Sequence, residues 1–301
     1  MAINTLNHVK KKPFYQSLPW IGPAIVVIAL FVLWPAIEMF TTSFRYVNQA
    51  GQIRGWTGIS NYQTLFTNSD LPGVLLRTGV WVIGVVLISV LISLPLAQML
   101  HQKFVGRRIV RYCLIVPWAA SVVMTAISWR WMLDSYYGIF NRIAQDLGFI
   151  NQPYAWLGSP NIAFGWLMLV AVFVSVPFTT YVIIAGLSTI PEEILEAAKV
   201  DGANDWKRYW EIIFPLLRPA LLIGIVINLI NVFNSFPVIW AITQGGPGSS
   251  TDTTTTMAYK IAFKTSDIGQ SASLATLNFL IILVFIGLFL RVNSRNAQKN
   301  K

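Results

Sequence analysis

The chain has 301 residues, 55% hydrophobic and 11% charged, with a formal charge of +10. That is more apolar side chain than one soluble core of this length can hold, so a bilayer is the expected solvent. The basic excess forms no stripe along a polar helix, which argues against a nucleic-acid surface, and the single cysteine, Cys113, excludes an intramolecular disulfide framework or a multi-cysteine metal site.

A helix needs about 20 apolar residues to cross roughly 30 Å of hydrocarbon. Six stretches qualify: Leu18 to Phe40, Thr78 to Leu100, Tyr112 to Leu133, Ala163 to Leu187, Ala220 to Ile242 and Ser271 to Leu290. The expected fold class is all-α integral membrane with six transmembrane helices, residues 18–290 forming the membrane domain between terminal segments 1–17 and 291–301. Lys10, Lys11 and Lys12 precede the first stretch as they would in a signal peptide, but the apolar run continues past Trp34 and Pro35 without a small-x-small cleavage site. An uncleaved span is the expectation. With the N-terminus inside, 15 of the 22 Lys and Arg fall in the inner connections, so both termini are expected in the cytoplasm. Cys113 lies in an apolar run where a buried, inert thiol is expected.

Polar groups within the spans come next. Arg130, between Trp129 and Trp131 at the outer end of the third span, can snorkel to the interface without further role. In the fourth span Ser175, Thr179 and Tyr181 are candidates for a substrate path or for bonds within their own helix, and Pro177 is expected to bend the helix.

The longest inner loop, about 188–218, holds ten formal charges. Thr189 followed by Glu192 has the form of a capping box, with Pro191 suited to a first helical turn. A short helix over Ile194, Leu195, Ala197 and Ala198 should end at Gly202, and Asn204 or Asp205 should cap a second, running to about Ile213 and closed by Pro215 and Pro219. Helices this short are marginal alone, so the unit either docks on a partner or lies on the headgroups.

On the fifth span Asn228, Asn231, Asn234 and Ser235 recur at helical spacing beside Phe233 and Phe236. Amides next to aromatic faces suit a sugar, whose hydroxyls need donors and acceptors and whose C–H faces stack on rings. Hydrogen bonding between packed helices is the other reading. No acidic residue sits mid-membrane to relay protons, and His8 and His101 fall outside the spans, so neither a zinc site nor a membrane-protease dyad can be assembled.

Glu196-Ala197-Ala198, then Gly202, Ile212, Pro215 and Pro219, resembles the EAA loop of bacterial binding-protein-dependent ABC importer permeases, with Phe214 standing where an aliphatic residue is common. Phe236 through Thr243, with Gly245, Gly246, Pro247, Thr251, Tyr259 and Phe263, is similar to the end of the fifth span and the following outer loop in the carbohydrate branch, which includes the maltose and glycerol-3-phosphate permeases. Trp129, Trp131, Gly138 and Asn141 are similar to the outer end of that branch's third span.

The resemblance implies a MetI-like type I importer permease in a bacterial or archaeal cytoplasmic (inner) membrane. It would form half of a pore with a second homologous permease subunit, served by two ATP-binding subunits and an extracytoplasmic solute-binding protein. Glu196, Ala197, Ala198, Asp201 and Gly202 would contact the ATPase. The cargo would be a carbohydrate: a sugar, an oligosaccharide or a glycerol-phosphate-type solute. The chain lacks G-x-x-x-x-G-K-[ST], so no cofactor is expected in it, and ATP and Mg would belong to the partner subunits. A channel that opens without ATP and a membrane anchor for a cytoplasmic complex are the competing classes.

Overall fold

A computed structural model describes residues 18–299. The basic N-terminal segment with Lys10, Lys11 and Lys12, His8, and the last residue, Lys301, lie outside the described residues.

Among the described residues, five helical runs are long and apolar enough to cross a membrane: Pro19–Thr42, Leu71–His101, Pro160–Leu187, Asp205–Ile242 and Ile268–Phe289. The third expected span does not form as one helix. Tyr112 to Leu133 divides into α5 (Arg107–Ala119) and α6 (Val122–Met132), with Ala120 and Ser121 in extended backbone between them. Hydropathy summed over the run does not register this break. Ser121, a residue that favours a helix start over a helix interior, stands as the N-cap residue of α6. Cys113 is exposed on α5 rather than buried.

The first run consists of α1 (Leu18–Ile28), a π turn (Ala29–Leu33) and α2 (Trp34–Thr42). A second π turn, Tyr209–Ile213, links α10 (Asp205–Arg208) to α11 (Phe214–Phe233). Each π turn ends two residues before a proline, Pro35 or Pro215. Proline removes one N–H and crowds the carbonyl four residues back, and a widened turn absorbs both defects without breaking the helix. For that reason Pro215 and Pro219 do not close a separate cytoplasmic unit as expected. The helix from Asp205 runs on through both of them.

The core is built by α4 (Leu71–His101) and α8 (Pro160–Leu187), with α11 packed on both. Trp81, Val85, Leu167, Val170, Val232 and Ile239 belong to its larger apolar cluster. Ala97, Leu100, Ile183, Leu187, Ile213 and Leu217 form a second cluster toward the loop of residues 188–218. The other end of the bundle carries the hairpin β1 (Arg45–Val47) and β2 (Ile53–Trp56), together with α3 (Ser60–Thr67), α7 (Ile139–Asp146) and α13 (Thr254–Phe263). The last helix, α14 (Ile268–Lys299), packs on α2, α3 and α13 and continues past the expected span end at Leu290.

Candidate functional site

A short helix, α12 (Phe236–Ile242), follows α11 after a break at Asn234 and Ser235. Pro237 causes it, because it offers no N–H to the carbonyl of Phe233, four residues earlier. The Val232 carbonyl, which the Phe236 amide leaves for the Asn234 carbonyl at the break, is satisfied locally. Ser235 Oγ donates to the Val232 carbonyl at 2.6 Å, and the Trp81 indole Nε1 donates to that carbonyl and to Ser235 Oγ, each at 3.0 Å. Trp81 is only 1% exposed, so this knot lies in the dry core.

The α5/α6 break and the α11/α12 break border the same cavity, of about 290 Å³. Trp118 and Val122 line it beside the first break, and Asn231, Val232, Asn234, Ser235, Pro237 and Val238 beside the second. Ala171, Val174, Ser175 and Phe178 of α8 and Asn228 of α11 complete the wall. Irregular backbone at membrane depth is tolerated where it lines a cavity, and discontinuous helices commonly frame transport sites. The half-helices α6 and α12 pack on each other and are joined where Arg130 Nη1 donates to the Ala241 carbonyl at 3.3 Å.

The expected polar stripe is therefore brought together, but not on one helix face. Asn228 and Asn231 are helical, whereas Asn234 and Ser235 occupy the break. Asn228 is buried and donates from Nδ2 to Thr179 Oγ1 at 3.2 Å, and Thr179 donates to the Ser175 carbonyl. Asn234 Nδ2 donates to the Ile230 carbonyl at 2.9 Å. The flanking rings do not join the site. Phe233, the last residue of α11, packs in the core, and Phe236, turned out of the α11 register by the break, stacks on Trp240 and contacts Tyr259. Thr179 lies behind the wall, and Tyr181 donates to the Arg111 carbonyl toward the loop end. Trp118, Phe178 and Trp81 are the contributors that sequence reasoning missed. Only Pro237, two residues after Ser235, signalled the break that gathers them.

At the opposite end, α9 (Glu192–Val200) begins with Pro191 as its N-cap and no side-chain cap. The capping box does not form, because the helix starts with Pro191 at the N-cap and leaves Thr189 two residues outside it, where its Oγ1 donates to the Gly186 carbonyl at the end of α8, at 2.8 Å. Glu192 and Glu193 still place negative charge on the first turn, where the dipole favours it. Gly202 follows with φ +76°, a left-handed conformation that glycine adopts without strain. Asn204 Oδ1 then accepts from the Lys207 amide at 2.8 Å and caps α10. Leu195 and Ile190 seat the loop against the second apolar cluster. Of the five residues expected at a partner contact, Glu196, Ala197, Asp201 and Gly202 are exposed, and Ala198 is buried within this chain, at 5% exposure.

The loop between α12 and α13 is tied to α13 by an ion pair and to α4 by a hydrogen bond from Arg77. Asp252 Oδ2 accepts from Lys260 Nζ at 2.6 Å and Asp252 Oδ1 from Thr256 Oγ1 at 2.9 Å, while Arg77 Nε donates to the Asp252 carbonyl. Burial pushes the Asp252 carboxyl up from its ordinary range, against the opposing pull of Lys260 and Thr256. Gly245 has φ +84°, and a Cβ there would collide with the Asp252 carboxylate. Asn141 fixes the neighbouring loop by donating to the Asp134, Ser135 and Tyr154 carbonyls and accepting from the Tyr154 amide.

Known proteins share both the sequence and the fold. Residues 89–298 match the family described as binding-protein-dependent transport system inner membrane component. The chain is 39% identical over 285 residues to a probable ABC transporter permease protein of Brucella suis biovar 1 (strain 1330), covering 94% of this chain and 99% of that one. It is 28% identical to the trehalose/maltose transport system permease protein of Thermococcus litoralis over 97% and 98% of the two chains. Its fold is shared, at a TM-score of 0.82 and 19% identity over 93% of this chain and 94% of the other, with a chain of a bacterial alginate ABC transporter solved in complex with an alginate pentasaccharide-bound periplasmic protein.

Proposed function

Because the chain belongs to the binding-protein-dependent transport system inner membrane component family, we propose that it is the permease subunit of an ATP-driven carbohydrate importer in a bacterial or archaeal cytoplasmic membrane, forming half of the pore. The observation that carries this reading is one continuous helical run. It begins at Asp205, beside the loop of α9, and ends at Phe233, immediately before Asn234 enters the cavity wall.

On this reading both termini and the loop of residues 188–218 face the cytoplasm, and Glu196, Ala197, Asp201 and Gly202 meet one of two ATP-binding subunits, which hold ATP and Mg. A displacement of α9 passes through Gly202 and α10 into α11, and α11 carries it to the break beside the cavity. A second permease subunit closes the other side of the pore, and an extracytoplasmic solute-binding protein delivers the cargo. Support for that delivery comes from the alginate transporter, which was solved with its loaded periplasmic protein. Asn228, Asn231, Asn234 and Ser235, beside Trp118, suit a cargo that presents hydroxyls and C–H faces.

The test is uptake of labelled sugar in cells carrying the whole transporter. Asn231→Ala and Trp118→Ala should each lower uptake at limiting sugar by about tenfold, the equivalent of roughly 1.4 kcal/mol, while the subunits still assemble. Unchanged uptake in both variants would remove the cavity from the path.

A further inference from the structure

Among the residues that line the cavity none carries a titratable side chain. Its polar groups are neutral amides and hydroxyls. Asn228 gives one amide N–H to Thr179 and Asn234 gives one to the Ile230 carbonyl. Each bond uses one of the two N–H donors of its amide, so both a donor and an acceptor remain on each side chain. Ser235 Oγ uses its proton on the Val232 carbonyl. Arg130, a cation on the half-helix α6, is engaged by the Ala241 carbonyl and is not part of the wall.

Sugar hydroxyls meet such groups as donors or as acceptors. An ionised phosphate, sulfonate or carboxylate only accepts, and it would find no cation in this wall to offset its lost hydration. The relatives leave both chemistries open, because trehalose and maltose are neutral and alginate is an acidic polysaccharide. We infer that this chain's half of the site selects an uncharged, hydroxyl-rich carbohydrate and discriminates against anionic ones. The inference rests on the proposed transport function and adds the charge class of the cargo. Trp118 supplies a face for the C–H side of a ring, and the Asn231 amide serves hydroxyls on either side as donor or acceptor.

The test uses the complete transporter reconstituted in liposomes with its receptor, offered neutral maltose and trehalose and, in parallel, an alginate oligosaccharide and glucose 6-phosphate. ATP-driven accumulation of a neutral sugar should exceed that of the anions by at least tenfold. Asn234→Lys, which replaces a neutral amide with a cation, should narrow the ratio severalfold by slowing the neutral sugar. Equal or faster accumulation of an anion would overturn the charge class. If that anion's uptake still fell in Asn231→Ala, the cavity would stand as the path and only its selectivity would be misassigned. Uptake of every probe unaffected by Asn231→Ala, Trp118→Ala and Asn234→Lys would instead overturn the transport site itself.

Discussion

Trp81 illustrates what a single buried donor can do. Its indole N–H closes the knot with Val232 and Ser235 that holds α11 and α12 at their break. Trp81→Phe retains an aromatic ring but removes the donor, which should lower stability by about 1–3 kcal/mol and raise the apparent KM for uptake severalfold. A stability loss with an unaltered KM would show that the knot does not position the asparagines. Asp252 and Lys260 allow a test with pH as the variable. Asp252 is raised by burial, so the folded chain holds its proton more tightly than the unfolded chain does. The cost of burying the ionised carboxylate is therefore present above the folded value and is relieved as pH falls through it. Lys260→Met, which leaves that carboxylate without its cation, should cost roughly 3–5 kcal/mol at high pH, with partial recovery on acidification. Melting measured across the pH range checks the sign. A loss that grew toward acid would contradict it.

Among the elements, the loop of residues 188–218 was the most legible in the sequence, though not throughout. Gly202 could be read directly and the second cap narrowed to Asn204 or Asp205, since each depends on a residue type that matches a backbone requirement. The missing Thr189 cap could not be read, because the chain enters α9 with Pro191 rather than Thr189 at the N-cap. Nor could the run through Pro215, because a π turn absorbs a defect that a sequence rule treats as a stop. The division of the third span was hidden for a related reason: hydropathy reports solvent preference, not continuity of hydrogen bonding. These differences alter the choice of probe. A bulky replacement at Ala198 would crowd this chain's own interior, at about 1–3 kcal/mol, whereas Ala197 is exposed. Ala197→Trp should abolish ATP-driven uptake and leave melting unchanged. Retained uptake would place the partner contact elsewhere.

For the whole molecule, the essential feature is the separation of the loop end from the cavity and their connection by the helix that starts at Asp205. On the proposed reading the chain transmits motion and binds cargo, while the ATP-binding subunits supply the energy. The decisive measurement is accumulation of labelled maltose in liposomes that contain the permease subunits, with and without the ATP-binding subunits and ATP. Uptake should require both, with no appreciable flux through the permease alone. Rapid downhill flux without ATP-binding subunits would contradict the coupling role and favour a channel.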